Sequence, residues 1–489
     1  MILRTLDMGR NGLLGLVVVL LFYTGAATDN LVFNVQHRYG GRGKANRSTL
    51  KAFKLHDARR HQRKLAALDL PLGGDGKVTG SGLYYTKLSI GTPAKDFHVQ
   101  VDTGSDILWV NCVDCVECPK KSDLGLELSL YDMKASSTGK QVTCDQEICN
   151  AIYNTEASAC KAKPCDYSIS YADGSTMTGF FVTDSVQFNQ VSGNLQTNST
   201  TGDVSFGCSQ KQSGTSGTAT DRVSGIVGFG QGNASIISQL AKSGKVKKTF
   251  SHCLDNINGG GIFAIGQVMD PKFNTTPLLD DISHYNVIME KAEVEGDVFD
   301  LPTQSFFDLG RKTVIDSGAT LAHIPGDIYD LIMTKVTARQ ANLKTHIVDP
   351  ELKCFFFNGK IEDGFPPITF HFDNSLAMEV SPREYLLHLR DNEWCFGFQR
   401  GGMQTDDGED LILLGDVMLS NKLVVYDLEN QTIGWTTYNC SSSIKVKDQI
   451  SGNVNSVNTH DISSSAYKFK DTGPNFLTAL LLLMATLAM

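Results

Sequence analysis

The sequence Val101-Asp102-Thr103-Gly104-Ser105-Asp106-Ile107-Leu108-Trp109-Val110 places an aspartate in a tight turn directly before an apolar run rich in β-forming residues. Such a turn would close one strand and hold a carboxylate at the edge of a hydrophobic sheet. Asp-Thr-Gly by itself is a common loop tripeptide. The same order of residue types returns, however, at Val314-Ile315-Asp316-Ser317-Gly318-Ala319-Thr320-Leu321. Two matched acidic turns in one chain predict a pair of carboxylates that act together.

Length and composition bound the class of protein. A chain of 489 residues exceeds one ordinary hydrophobic core, so we expect at least two domains. With 20% charged and 41% hydrophobic residues, the composition is that of a folded globular protein. The net charge of −9 argues against a nucleic-acid partner. The 46 glycines, together with short alternating runs at 84–90 and 97–101, predict a β-rich fold with many turns.

The two halves of the chain share a layout beyond the acidic turns. The segment Ile226-Val227-Gly228 follows the first turn, and Leu413-Leu414-Gly415 follows the second. Helical patterns occur at 235–242 in the first half and at 326–340 in the second. This internal duplication predicts two similar β lobes with the two aspartates at their junction.

The start of the chain has the pattern of a secretory signal peptide. Arg4 and Arg10 precede the apolar residues 12–23, and the small residues Gly25-Ala26-Ala27 follow, which predicts a signal peptide over residues 1–27. The apolar run is too short to favour a transmembrane helix. A secreted chain matures in an oxidising compartment, so we expect disulfides. Asn-x-Ser/Thr sequons make six asparagines candidates for N-glycosylation: Asn46, Asn198, Asn233, Asn274, Asn430 and Asn439.

The cysteines are concentrated in residues 112–165, which hold seven of the twelve. If every cysteine pairs, at least one bridge must leave this region, to one of Cys208, Cys253, Cys354, Cys395 and Cys440. The spacing Cys112-x-x-Cys115-x-x-Cys118 also occurs in zinc and redox sites, but no histidine or second CxxC stands nearby. We therefore predict structural disulfides, no metal site, and a local Cys354–Cys395 bridge.

A basic segment lies between the signal peptide and the β-rich body. Its positive charges lie on a helical pattern at 50–68: Lys51, Lys54, Arg59, Arg60, Arg63 and Lys64. A basic block ahead of an acidic body predicts a propeptide, residues 28–76, that covers an anionic site and makes the protein a zymogen. The alternative is a solvated helix of the mature domain.

The end of the chain has the pattern of a glycosylphosphatidylinositol (GPI) attachment signal. Residues 476–489 are apolar to the last residue, residues 467–475 form a polar spacer, and small residues stand at 463–466. The pattern predicts lipid attachment at Ser464, within two residues, with 444–464 as a linker to the anchor and 465–489 removed. The alternative, a tail-anchor helix, would span a bilayer poorly. We expect the protein on the outer face of the plasma membrane.

The two acidic turns and the two apolar-apolar-Gly segments resemble those of the pepsin-type aspartic proteases. The cysteine-rich insertion at 112–165 resembles the plant nepenthesin-like branch of that family. With the GPI signal, the chain is similar to plant GPI-anchored aspartic proteinases. The resemblance spans about residues 82–440 and implies an all-β, bilobal fold. The N-terminal lobe would cover residues 77–278 and the C-terminal lobe residues 279–443, with a cleft for an extended peptide between them.

The resemblance implies an aspartic endopeptidase in which Asp102 and Asp316 are catalytic. Two close carboxylates share one proton, an effect for which the dyad of aspartic proteases is itself the standard example. The ionised carboxylate takes a proton from water while the protonated one polarises the peptide carbonyl. This chemistry needs no cofactor and no metal. The expected partners are protein or peptide substrates, and we expect a monomer.

The resemblance also assigns roles around the two aspartates. Residues 167–175 match the flap of the family, in which Tyr171, Asp173, Gly174 and Ser175 close over substrate and Tyr171 bonds to Trp109. A plain strand aromatic is the alternative for Tyr171, but the Asp-Gly turn beside it favours a flap. Ser105 would donate a hydrogen bond that stabilises Asp102. Thr103 and Ser317 would brace the two turns, which contain Gly104 and Gly318, against each other. Thr320 would line the cleft.

One position departs from the family pattern. Many members carry a hydroxyl residue where Ala319 stands, and that hydroxyl bonds to the second aspartate. Without this donor the ionised form of Asp316 is less stabilised, so its pKa should rise. We therefore expect an activity optimum less acidic than that of a typical member.

Two other classes of function remain open. A catalytically weak or inactive pepsin-fold binding or inhibitor protein would keep the fold and lose the dyad, whereas Asp102, Asp316 and Tyr171 are all present here. A GPI-anchored adhesion module would show repeats or recognition motifs, and none is evident. The sequence contains neither the HExxH motif of zinc proteases nor the G-x-S-x-G motif of serine hydrolases.

Overall fold

The computed structural model describes residues 65–76, 82–122, 124–153, 163–171, 174–213, 223–280, 284–302, 310–348, 352–404, 408, 410–448 and 451–462. All of them lie in one compact unit, Arg63–Met489. The predicted signal peptide, most of the basic segment, Asn46, Asp173 and the predicted attachment residue Ser464 lie outside the described residues. Within the described residues, no helix is both long enough and apolar enough to cross a membrane.

Strands make up about half of the described chain. In its first part they are β1 Leu68–Asp69, β2 Leu72–Gly74, β3 Tyr84–Ile90, β4 Lys95–Asp102, β5 Trp109–Val116, β6 Lys140–Gln141, β7 Asp166–Ser170, β8 Thr176–Gly193, β9 Gln196–Ser213, β10 Gly225–Gly228, β11 Thr249–Leu254, β12 Gly261–Ile265, β13 Gln267–Asp270 and β14 Asn274–Pro277. Those that follow are β15 Asn286–Val294, β16 Asp297–Asp300, β17 Arg311–Ile315, β18 Ala322–Ile324, β19 Thr345–Val348, β20 Leu352–Phe356, β21 Ile368–Phe372, β22 Leu376–Val380, β23 Leu386–Arg390, β24 Glu393–Phe396, β25 Phe398–Arg400, β26 Met403–Gln404, β27 Asp410–Leu414, β28 Lys422–Asp427, β29 Thr432–Thr437, β30 Ile444–Lys447 and β31 Val454–Val457.

The helices are short and lie between strands. Among the described residues they are α1 Glu147–Tyr153, α2 Ile236–Lys242, α3 Gly326–Val336, α4 Ile361–Gly364, α5 Pro382–Tyr385 and α6 Asp416–Leu419, with a 3-10 turn at Asp373–Ser375. The predicted strand at 84–90 and the predicted helix at 235–242 are confirmed, the latter capped by the Ser235 side chain.

The predicted all-β, bilobal fold is confirmed. The largest described sheet runs in the order β14-β29-β28-β11-β12-β1-β8-β9-β5-β10-β4-β3-β2, and a second runs β22-β21-β15-β17-β27-β18-β25. In the first sheet, β28 from the end of the chain pairs with β11 from its middle, with Phe250 opposite Tyr426. Strands from both halves of the sequence therefore share one sheet, which holds the two lobes together.

A cluster of aromatic rings fills the core beneath the acidic turns. Phe250 stacks on Tyr426 with ring centroids 4.4 Å apart, and Phe229 lies 4.5 Å from Phe263. Tyr285 closes the cluster against Tyr426 at 4.6 Å, and all five side chains are fully buried. The backbone N–H of Phe229 donates to the Asp102 carbonyl at 2.7 Å, so this core is tied directly to the first turn.

The internal duplication is visible in the strand pairing. In the N-terminal lobe β4 lies parallel to β10 with Asp102 opposite Gly228, and in the C-terminal lobe β17 lies parallel to β27 with Ile315 opposite Leu414. A Cβ atom at Gly228 would come within 2.3 Å of the Asp106 backbone, and one at Gly415 within 2.4 Å of the Leu321 carbonyl. Close backbone approach therefore explains the glycine that ends each apolar-apolar-Gly segment.

Disulfides join the cysteine-rich insertion to the body, as predicted. Among the described residues the bridges are Cys112–Cys208, Cys115–Cys118, Cys149–Cys165, Cys253–Cys440 and Cys354–Cys395. The first is the predicted bridge out of the insertion, and the last confirms the predicted local bridge of the C-terminal lobe. Cys144 is disulfide-bonded as well. The described residues contain no group of three or more His, Cys, Asp or Glu that could hold a metal ion.

Residues 189–224 are rich in Ser, Thr, Gly and Gln, a composition that predicts a surface stretch interrupted by a strand at 202–208, and the structure differs from that prediction. Strands β8 and β9 form one long antiparallel hairpin, paired from Thr176 opposite Ser213 to Gly193 opposite Gln196. Threonine and serine suit the exposed face of a sheet, where their hydroxyls bond across strands, as Thr183 does to Ser205 at 2.7 Å. Low hydrophobicity therefore hid a strand whose partner lies next to it in the chain.

Both ends of the described chain pack on the folded body, although they fall within the predicted propeptide and the predicted linker. Strand β1, within the predicted propeptide, lies between β8 and β12, and Ala67, Leu68, Leu70 and Leu72 are buried. Strands β30 and β31, within the predicted linker, form a sheet with β13. The Ile462 N–H donates to the Leu72 carbonyl at 2.9 Å, so the two ends also contact each other.

We expect the mature protein to begin at or before Ala66, not after Gly76. A cut after Gly76 would remove β1 from the sheet and expose the apolar surface that its buried leucines cover. N-terminal sequencing of the mature protein purified from its native source checks this. A mature chain that begins after residue 76 would show that β1 and β2 are dispensable in the active form.

Candidate active site

Each lobe delivers one aspartate from the end of a central strand. Asp102 is the last residue of β4, and Asp316 directly follows β17. Each aspartate is bonded through its backbone to the parallel strand beside it or to the residue that follows that strand. The Asp316 N–H donates to the Leu414 carbonyl of β27 at 3.0 Å, and the Asp102 carbonyl accepts the N–H of Phe229, which follows β10. The sequence repeat thus becomes a structural one, in which the same strand arrangement presents a carboxyl from each side.

The structure brings the two carboxyls together. They share a hydrogen bond, and each also accepts the N–H of its own turn, Gly104 to Asp102 at 2.8 Å and Gly318 to Asp316 at 2.7 Å. A Cβ at Gly104 would lie 2.5 Å from the Asp316 carboxyl carbon, and one at Gly318 would lie 2.1 Å from Asp102 Oδ1. Any side chain at either glycine would therefore collide with the opposite carboxyl.

The two turns are held by a reciprocal set of hydrogen bonds. The Ser317 N–H donates to Thr103 Oγ1 at 2.9 Å, and the Thr103 N–H donates to Ser317 Oγ at 3.3 Å. Each hydroxyl in turn donates across the junction, Thr103 to the Ile315 carbonyl at 3.3 Å and Ser317 to the Val101 carbonyl at 3.2 Å. Both side chains are buried, so these bonds are shielded from water and fix the distance between the lobes here.

The surroundings of the two carboxyls are unequal. Ser105 Oγ donates to Asp102 Oδ2 at 2.5 Å, whereas the corresponding Ala319 packs against an apolar cluster of Val314, Leu411 and Leu413. Burial raises the pKa of Asp316, and the neighbouring charge of Asp102 raises it further. Burial also raises the pKa of Asp102, but the Ser105 and Gly104 donors oppose that rise. The arrangement favours a proton on Asp316 and a charge on Asp102.

The hairpin of β7 and β8 carries Tyr171 over this pair. Trp109 Nε1 donates to the Tyr171 hydroxyl at 2.7 Å, which is the bond predicted from the sequence. The tip is a tight turn in which the Tyr171 N–H donates to the Ser175 carbonyl at 2.9 Å and Gly174 has φ +76°. Burial and the charge on Asp102 raise the pKa of Tyr171, so its hydroxyl keeps its proton. Asp173, also predicted for the flap, lies outside the described residues.

Thr320 has a different contact from the one expected. Its Oγ1 donates to the Gly82 carbonyl at 2.5 Å, so the hydroxyl is bonded to the segment that leads into β3. The side chain is half-buried, and its position close to Asp316 in sequence keeps it near the site. Its hydroxyl holds the chain that frames the cleft.

Two residues at the site were missed by sequence reasoning. Gln100 Nε2 donates to the Gly318 carbonyl at 3.0 Å, from one lobe to the turn of the other. Asp416 is 1% exposed, and its Oδ1 has no hydrogen-bond partner among the described residues. Burial raises the pKa of Asp416 well above its usual range, and Asp316 and Asp102 raise it further. Strand alternation could have indicated Gln100, because it stands two residues before Asp102.

Comparisons with known proteins agree with this geometry. Residues 84–267 match the protein family described as Xylanase inhibitor N-terminal, and residues 284–437 match Xylanase inhibitor C-terminal. Aspartic proteinase 36 of Arabidopsis thaliana is 51% identical over 432 residues, which cover 88% of each chain. Aspartic proteinase 39 of the same plant is 48% identical over 450 residues, which cover 92% of this chain and 93% of the relative.

Solved structures support the fold. Basic 7S globulin from soybean superposes with a TM-score of 0.58 at 21% identity, over 77% of this chain and 96% of that chain. Conglutin gamma from lupine seeds, a basic 7S globulin, superposes with a TM-score of 0.61 at 20% identity, over 77% and 96%. With two matched acidic turns at a lobe junction and close relatives named as aspartic proteinases, the chain belongs to the plant pepsin-like aspartic protease family.

Proposed function

We propose that the protein is an active aspartic endopeptidase that hydrolyses peptide bonds in extended polypeptide substrates. The observation that carries this proposal is the hydrogen-bonded pair of Asp102 and Asp316, braced by Thr103 and Ser317. Two carboxyls in contact that ionise with unequal ease can serve as an acid and a base in one site.

The geometry supports hydrolysis by an activated water, without a covalent intermediate. Ionised Asp102 accepts a proton from water as the water oxygen attacks the peptide carbonyl carbon, and Asp316 gives its proton to the carbonyl oxygen. The tetrahedral diol then collapses: the C–N bond breaks, Asp102 passes its proton to the leaving nitrogen, and Asp316 regains a proton from the diol. The two carboxyls end as they began.

The flap supplies the cover that this reaction needs. Because Trp109 holds the Tyr171 hydroxyl, the aromatic ring has a defined place above the dyad. Closure of the hairpin over a bound peptide would exclude bulk water and strengthen the electrostatic interactions of the carboxyls. At the tip, Gly174 has φ +76°, a backbone conformation that glycine adopts without strain.

A second candidate function is that of a pepsin-fold protein that binds another protein without cleaving it. The match to families described as xylanase inhibitors favours it, because that name denotes binding. Against it stand two intact turns, in which each aspartate accepts the N–H of its own turn glycine and Asp102 also accepts the Ser105 hydroxyl. A protein that only binds would not need two carboxyls hydrogen-bonded to each other.

Replacing either aspartate tests the choice between these functions. We expect Asp102→Asn and Asp316→Asn each to lower kcat/KM for a peptide substrate by about 10²–10⁴-fold, the usual contribution of a positioned acid or base. Pepstatin should block the wild-type activity. The exposed Asp373→Asn is a matched control and should cleave at the wild-type rate. Cleavage that persists in both dyad variants would overturn the assignment.

The unequal surroundings of the dyad make a prediction for pH dependence. Asp316 must hold its proton, so activity is present below its pKa and is lost as the pH rises through it. A hydroxyl at position 319 would stabilise the ionised form and lower that pKa. We therefore expect Ala319→Thr to move the alkaline limb of the kcat/KM profile to lower pH. Ala319→Val is the control, because valine has the shape of threonine and lacks the hydroxyl. If Ala319→Thr leaves the alkaline limb where it is in the wild type, this explanation is wrong.

We propose further that the protein is a glycoprotein tethered to the outer face of the plasma membrane by a GPI lipid at Ser464. The sequence pattern of the C-terminal residues supports the tether. Ser464 stands two residues after Ile462, whose N–H donates to the Leu72 carbonyl of the folded body. The segment between the folded body and the lipid would therefore be short. Five candidate glycosylation sites have exposed side chains, which is compatible with glycosylation: Asn198, Asn233, Asn274, Asn430 and Asn439.

Enzymatic release tests the tether. A phospholipase C specific for phosphatidylinositol should release the full chain from plant membranes, because it cuts the lipid and leaves the protein whole. Deleting residues 476–489 should yield secreted protein without the phospholipase. Full-length protein that stays on the membrane after treatment, while a known GPI-anchored protein is released, would argue for another form of attachment.

A further inference from the structure

Gln100 shares a strand face with the first catalytic aspartate. Side chains two residues apart on a strand point to the same face, so Gln100 and Asp102 of β4 project together. The alternate residues Val99 and Val101 are fully buried on the opposite face, whereas Gln100 is half-buried. The alternation therefore puts an amide side chain on the cleft face of β4, next to the dyad.

The amide of Gln100 uses only one of its two ends within the protein. Nε2 donates to the Gly318 carbonyl at 3.0 Å, which fixes the orientation of the amide plane. Oε1 accepts no hydrogen bond from the described residues. It is nevertheless not a buried atom without a partner, because water can reach it. An oriented acceptor that solvent can reach thus stands beside Asp102.

Gln100 stands between Ile226 and Tyr85 on this face, with the buried Tyr85 of β3 opposite it in register. Ile226 of β10 lies in register beside it, in the strand parallel to β4. Ile226 and Ile107 are partly buried and pack with Trp109 and Tyr171, the two residues that position the flap. A substrate side chain that entered here would therefore meet an apolar wall first and the Gln100 oxygen at its polar edge.

We infer that Gln100 determines specificity for the substrate residue next to the scissile bond, favouring side chains with an apolar stem and a hydrogen-bond donor at the end, such as glutamine. The inference rests on the proposed peptidase function. A site built to accept a hydrogen bond discriminates against an isostere that cannot donate, because the acceptor that the bound peptide covers is then left unpaired. Through its bond to Gly318, Gln100 also positions the turn that carries Asp316.

Two peptide pairs test this role. The first is a cleavable pair of peptides that differ only in the residue next to the scissile bond, which is glutamine in one and methionine in the other. Methionine is chosen because its side chain has a similar length and cannot donate a hydrogen bond. The substitution is tried on each side of the scissile bond. We expect a wild-type kcat/KM ratio of roughly 3- to 10-fold in favour of glutamine on one side, the value of one net hydrogen bond. Gln100→Met should bring that ratio to about one, whereas Gln100→Glu, which keeps an acceptor, should preserve it.

The ratio separates recognition from a general loss of activity. A displaced Asp316 turn would lower cleavage of both peptides equally and leave their ratio unchanged. The exposed Gln187→Leu on β8 is the control and should retain the wild-type ratio. An equal preference for the two peptides in the wild type, or a glutamine preference that survives in Gln100→Met, overturns the inference.

A second pair, with the scissile bond reduced to a non-hydrolysable methylene amine, separates this inference from the proposed function. The ratio of dissociation constants for the glutamine and methionine forms, measured by calorimetry, needs no catalysis. If the wild type binds the glutamine form more tightly and Gln100→Met removes that preference, the inference is supported. This holds even if the cleavable peptides are not cleaved, because a lack of cleavage would refute only the peptidase function. No binding of either form, or equal binding of both, overturns the inference.

Discussion

The contact between the carboxyls of Asp102 and Asp316 is the constraint on which the rest of the site depends. It requires glycine at 104 and 318, since a Cβ at either position would collide with the opposite carboxyl. It requires lobes fixed to within a fraction of an ångström, which the buried exchange of bonds between Thr103 and Ser317 provides. The shared sheet of β11 and β28 and the aromatic core beneath it supply the rigidity behind those bonds.

The two lobes repeat the same strand arrangement but do not treat their aspartates alike. Asp102 has the Ser105 hydroxyl, whereas Asp316 has the methyl group of Ala319 and, close by, the buried carboxyl of Asp416. A charge is therefore better stabilised on Asp102 than on Asp316. Under the proposed function, this asymmetry would make one copy of the duplicated element the base and the other the acid, and it would link the working pH range to a few neighbouring residues.

The sequence was sufficient for the features that local pattern determines. The acidic turns, the strand Tyr84–Ile90 and the Trp109–Tyr171 bond follow from motifs and alternation. It was insufficient where partners lie far apart in the chain: the two residues of β1 carry no local sign that β8 and β12 lie on either side of them. Gln100 was missed for the same reason, because its bond joins residues of different lobes.

The central claim is that the two carboxyls share one proton, held on Asp316 while Asp102 is ionised. The pH dependence of kcat/KM for the wild-type protein, measured with one peptide from acid to alkaline pH, tests it most directly. We predict a bell-shaped profile with a single-proton slope on each limb and an alkaline limb above the usual range of carboxyl groups, near the raised pKa of Asp316 at about 8. A profile that rises through one ordinary carboxyl pKa and then stays flat into the alkaline range, or whose alkaline limb lies at an ordinary carboxyl pKa, would contradict the account.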